Sequence, residues 1–156
     1  MTRVVLPGIP TRDVVAMIEH LDDVIRELSI IAAGATSGTA RSAVPASVLG
    51  TMERVRPVLF AQKENISIQA TRAWKAGAAS FDLEVDLPEG AAPTVLEVLK
   101  VFEAVDDAAV GDGAFLLPAA SPDLFEFRHW FFTRVAEDLE TASAALKVMP
   151  APPAPS

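Results

Sequence analysis

The sequence predicts an α+β fold dominated by helices, in the order β-α-α-β-α-β-α, with a small two- to three-stranded sheet covered by helices. Three observations carry this expectation. Four segments repeat apolar residues every three to four positions, the period of an amphipathic helix. Phe81-Asp82-Leu83-Glu84-Val85-Asp86-Leu87 alternates apolar and acidic residues without a break, the period of a strand covered on one face only. Pro and Gly clusters punctuate the chain between these segments. An all-α helical bundle is the alternative if the short apolar runs do not pair.

Val4 to Leu6 is a β-branched run closed by Pro7-Gly8 and reads as the first strand. Thr11 offers an N-cap to a helix whose apolar residues, Val14, Met17, Ile18, Leu21, Val24, Ile25, Leu28 and Ile31, keep helical spacing. Ala33 to Val44 has no period and reads as a loop. Pro45 suits the first turn of a second helix carrying Val48, Leu49, Met52, Val55, Leu59, Ile66 and Trp74, with Pro57 marking a kink or a break. The alternating strand follows and ends at Pro88-Glu89-Gly90, and a third helix runs from about Pro93 to Val110. The turn Gly111-Asp112-Gly113 leads to an apolar run, Phe115 to Leu117, that suits another strand. The helix between these last two strands favours a parallel, right-handed crossover. Ser121 and Pro122 open a final, aromatic helix.

At 156 residues the chain suits one domain, over residues 1–148, and a domain this long buries roughly 68–70% of its unfolded surface. Residues 149–156 are Pro- and Ala-rich and read as a disordered tail. The sequence has no Cys, which removes disulfides and thiolate metal sites and agrees with a cytoplasmic home. Although 51% of residues are hydrophobic, no apolar run approaches the ~20 residues that span a bilayer. Met1 to Pro7 holds too short an apolar stretch for a signal peptide. A net charge of −8 opposes attraction to nucleic acid and to anionic membrane surfaces.

Candidate chemistry is sparse. Asp82, Glu84 and Asp86 point the same way along one strand and suit either a hard cation or, more simply, solvent. Glu126 and His129 form an E-x-x-H pair of the kind used by di-iron bundles, but such a centre needs two pairs and His20 follows Met17 rather than an acid. As a phosphoryl acceptor His20 is surrounded by Glu19, Asp22, Asp23 and Glu27, which would repel the phosphoryl charge; a bond to Asp23 is the simpler expectation. No nucleophile elbow, P-loop or dinucleotide fingerprint occurs, so no catalytic residue, cofactor or metal is assigned and no enzymatic activity is expected.

The aromatic helix breaks its own pattern twice. Arg128 falls inside the apolar face of Leu124, Phe125, Phe127, Phe131, Phe132, Val135 and Leu139, and Trp130 falls outside it. A buried guanidinium needs a carboxylate, and Glu27 on the first helix is the expected partner. Trp130 has Arg134 one turn on, placed to stack on its indole, and needs a cover from another helix or from another protein.

With these residues placed, the chain resembles a small actinobacterial family that carries an E-H-x-[DE]-[DE]-x-x-R-E helix, here Glu19-His20-Leu21-Asp22-Asp23-Val24-Ile25-Arg26-Glu27. Phe81-Asp82-Leu83 resembles its V-D-L strand, and Phe127-Arg128-His129-Trp130 its F-R-x-W helix. From Leu146 to Ser156 the chain departs from the Gly/Pro/Trp closure of that family. The resemblance implies a place among accessory proteins of partner-switching regulation, alongside anti-sigma ATPases, STAS-domain antagonists and serine phosphatases. The expected function is therefore a non-catalytic adaptor in stress or sigma-factor signalling, binding a protein such as an anti-sigma-type regulator through Trp130, Arg134, His20 and Asp23. The alternative is a small-molecule sensor or enzyme with a pocket between the sheet and the aromatic helix, and a homodimer is a third option.

Overall fold

A computed structural model describes residues 1–37, 44–110 and 120–148. Its elements are β1 (Thr2–Pro10), α1 (Thr11–Ser37), α2 (Ala46–Lys75), β2 (Ser80–Leu87), α3 (Ala92–Val110) and α4 (Pro122–Val148). The fold is α+β and helix-dominated, as expected, with β1 and β2 forming a two-stranded antiparallel sheet. The expected third strand at Phe115 to Leu117, with its crossover, and the tail 149–156 lie outside the described residues.

β1 is longer than the Val4–Leu6 run because Pro7-Gly8 does not end it. Leu6 pairs with Leu83 and Ile9 with Phe81, so β1 spends one extra residue against β2 and forms a bulge. Gly8 adopts φ +62°, which a side chain would strain, and its N–H donates to Asp82 Oδ1 at 2.9 Å. The extra residue keeps Ile9 on the same face as Val4 and Leu6, and all three are buried. Leu83, Val85 and Leu87 continue that face from β2. The opposite face carries Arg3, which donates from Nε and Nη2 to Asp86 at 2.9 and 3.1 Å. Part of the acidic stripe is thus occupied by protein cations and amides.

Thr11 is buried at the start of α1, but its hydroxyl donates to Ala78 O at 2.7 Å instead of capping the helix. This bond ties α1 to the turn that precedes β2. α1 then continues through Ala33 to Ser37, where a loop was expected, because Ala favours a helix and Gly, Thr and Ser weaken one without forbidding it. Pro45 is the N-cap of α2, and α2 runs unbroken through Pro57. Pro57 is exposed, so the carbonyl it leaves without a helix bond is on the solvent side, while buried Val55 and Leu59 hold the helix on either side.

α2 lies along the outer edge of β2 and pairs with it through side-chain amides. Gln69 donates to Glu84 O at 2.8 Å and accepts from Glu84 N at 3.0 Å, imitating a neighbouring strand. Asn65 donates to the same carbonyl at 3.2 Å, and Gln62 Nε2 donates to Asp86 O at 2.7 Å. α4 begins where expected, with Ser121 Oγ accepting from Leu124 N at 3.2 Å. Helices α1 to α4 and the apolar sheet face enclose one continuous core.

Candidate functional site: a cavity with unpartnered polar atoms

On α4 the residues at Leu124, Arg128, Phe131, Val135 and Leu139 follow helical spacing, and from Arg128 on all are buried. The buried stripe is narrower than the sequence suggests, since Phe125 is 42% exposed. Arg128 sits within it at 2% exposure. That figure rules out a guanidinium reaching solvent along its stem.

Its partner is Asp106 on α3, not Glu27 on α1. Nη2 of Arg128 donates to Asp106 Oδ2, and Asp106 Oδ1 accepts from Ala120 N at 3.2 Å. Glu27 is also buried, on α1. Periodicity places Arg128 on an inner face, but the choice of opposing carboxylate depends on which helix lies against that face, and α3 does. The guanidinium carbon also lies 5.4 Å from the Phe102 ring centroid and 5.6 Å from that of Phe125, so two aromatic faces replace part of its lost hydration. Arg128 Nε and Nη1 nonetheless have no hydrogen-bond partner among the described residues.

Arg128 is among the residues around a cavity bounded by α1, α2, β2, α3 and α4. It measures about 70 Å³ within a recess of about 750 Å³, the larger figure including solvent at its open mouth. Most of the wall is apolar, with Met17, Leu59, Val85, Val98 and Phe131 among its residues. Against this surface stand His20, Gln62, Lys63, Thr94 and Arg128. Among the described residues His20 Nε2 and Gln62 Oε1 are buried without a hydrogen-bond partner, as are the two Arg128 nitrogens. Gln62 is oriented by the bond from its Nε2 to Asp86 O, which directs Oε1 elsewhere. Burial pushes the His20 imidazole below its ordinary basicity, and the Arg128 charge pushes it further; Asp106 and Asp23 act in the opposite sense. Lys63, at the same wall, is paired with Asp22.

The residues expected to form a partner-binding patch are divided. His20 belongs to the cavity, and Asp23 accepts from Arg26 Nη2 at 2.6 Å rather than from His20. Trp130 is 45% exposed and leans on Phe127, with ring centroids 5.9 Å apart. Arg134 turns to Asp138, donating from Nε at 3.2 Å, instead of stacking on Trp130. His129 meets Glu103 at 3.1 Å on the exposed side, away from its E-x-x-H mate Glu126.

Gln62 and Asp106 are the site residues that sequence reasoning missed. A signal existed for Gln62, which interrupts the buried stripe Val55, Leu59, Ile66, Ala70 of α2 much as Arg128 interrupts that of α4. Asp106 sits four residues after buried Phe102. Among the described residues there is no group of three acidic, His or Cys side chains able to hold a metal, and no helix long and apolar enough to cross a membrane. The cavity's surface is almost wholly apolar. Compared with family models, with curated proteins and with solved structures, the chain finds no match.

Proposed function

We propose that this protein binds a small amphipathic molecule in the cavity between the sheet and α4, and that binding is its function rather than a prelude to chemistry. One observation carries the reading: an open-mouthed cavity of about 70 Å³ with an almost wholly apolar wall is bounded by five elements of the fold. Such a space takes the apolar part of a ligand out of water, and the open mouth lets a polar end stay hydrated.

The test is thermal unfolding of the purified chain with straight-chain carboxylates, primary amides and alcohols, from four to ten carbons. A ligand that binds only the folded state raises Tm with the logarithm of its concentration above Kd, the stabilisation reaching about 2.7 kcal/mol at a hundredfold excess over Kd. If none of the three series raises Tm in this way, the reading fails.

A second reading is an adaptor that binds a protein partner, in line with the resemblance to partner-switching accessories. Its support is the exposure of Trp130, at 45%, on the helix that also lines the cavity. Replacing Trp130 with Ala should leave Tm within about 1 °C, since surface changes seldom exceed ±0.5 kcal/mol, and should weaken retention of a native partner. Equal retention by both forms would remove this reading.

A further inference from the structure

The character of the cavity wall decides what kind of ligand it accepts, and the following rests on the proposal that the cavity binds a small molecule. We infer that the ligand is an uncharged aliphatic molecule, its first few carbons seated against Met17, Leu59, Val85, Val98 and Phe131 and its polar end left in water at the mouth.

The charged groups at the cavity leave an ion uncompensated. Among the described residues around it there is no Asp or Glu, so an ammonium ion finds no carboxylate. The two cations, Arg128 and Lys63, are already paired, with Asp106 and Asp22. Arg128 Nε and Nη1, which Asp106 does not engage, are themselves buried and present almost no surface to an entering anion. Burial holds the His20 imidazole below its ordinary basicity, so at pH 7.5 it adds no charge. An ion drawn to the apolar wall therefore loses hydration without gaining a counter-charge, a cost that a hydroxyl bears only in small part. The chain's net charge of −8 adds a further repulsion for anions.

Size selects a chain over a ring. The cavity, at about 70 Å³, has roughly half the volume of an engineered apolar cavity of about 150 Å³ that binds benzene. A benzene ring is too large for it, whereas about three methylenes fit, each worth about fourfold in affinity. A ligand of four carbons thus holds its polar group close to the apolar wall, where charge is most costly. With each further carbon that group moves out through the open mouth into water, and the cost of charge falls. The penalty for an ionic end should accordingly depend on chain length.

Calorimetric titration of the full chain at pH 7.5 with hexan-1-ol, hexanoate and hexylammonium tests the inference, together with the four-carbon and eight-carbon members of each series. Hexan-1-ol is expected to bind at least about tenfold more tightly than either ion, with a wider gap at four carbons and a narrower one at eight. In Val98→Leu, which narrows the cavity, hexan-1-ol should bind more weakly; an unchanged affinity places the ligand elsewhere and overturns its seat against Val98. Hexanoate or hexylammonium binding as tightly as hexan-1-ol overturns the exclusion of charge and leaves the cavity as a binding site. A gap of the same size at four and eight carbons puts the polar end inside the cavity and overturns its placement at the mouth. No binding by any member of these series, nor by the primary amides, overturns this inference together with the reading beneath it.

Discussion

Arg128 and Asp106 are each buried, and each makes the other tolerable. Removing one partner of a buried ion pair strands the other, which costs about 3–5 kcal/mol, whereas replacing both with well-packed apolar residues is often neutral. Asp106→Ala is therefore expected to lose about 3–5 kcal/mol in urea unfolding, and Asp106→Ala with Arg128→Met to lose less than Asp106→Ala alone. Additive losses would show that the two residues act separately. His20 gives a second expectation, in pH. Its folded-state basicity lies below the ordinary value, so between the folded and unfolded pKa the unfolded chain holds the extra proton. Stability then rises with pH: it is complete above about pH 6.5 and is lost as pH falls toward the folded pKa, with a slope of at most about 1.4 kcal/mol per pH unit. His20→Gln should remove that portion of the slope, read by Tm from pH 5 to 8. At this scale the sequence disclosed that Arg128 is buried and must be paired, because one helix's period contains that information. It did not disclose Asp106, because a partner across a helix interface is a property of two elements.

At the scale of elements, periodic segments were legible and their ends were not. The alternation in β2 is visible residue by residue, but the bulge in β1 exists only against Asp82 of the other strand, so Pro7-Gly8 read as an ending. Pro57 read as a break for a related reason: its local cost is real, and tertiary burial of Val55 and Leu59 overrides it. That cost remains in the native state. Pro57→Ala restores an N–H at an exposed position inside α2 and is expected to stabilise by about 1–3 kcal/mol; an unchanged urea midpoint would mean the helix has already relaxed around the ring. Gln69 tests the other unforeseen device. Its amide satisfies both backbone groups of Glu84 on the outer edge of β2, and Gln69→Ala should cost about 1–2 kcal/mol. Gln69→Glu keeps the acceptor for Glu84 N but sets a carboxylate against Glu84 O, so it should cost at least as much.

At the scale of the whole molecule, the cavity collects contributions from five elements, none of which contains it alone. This is why the sequence suggested a pocket between sheet and aromatic helix only as an alternative, without Gln62 or Asp106. Whether such a space is a packing fault or a site is decided by coupling stability to binding. Val98 lines the cavity from α3 and is 5% exposed. Val98→Leu adds one methylene beside about 70 Å³ of open space, where overpacking is not the expected result. Filling a void with apolar volume should raise ligand-free stability by up to about 0.8 kcal/mol, the worth of one buried CH₂. In a mere fault nothing else changes. In a binding site the same methylene occupies the ligand's place, so the Tm rise produced by hexan-1-ol should shrink while the ligand-free Tm increases. Higher stability with an undiminished hexan-1-ol shift would mean that the ligand binds elsewhere.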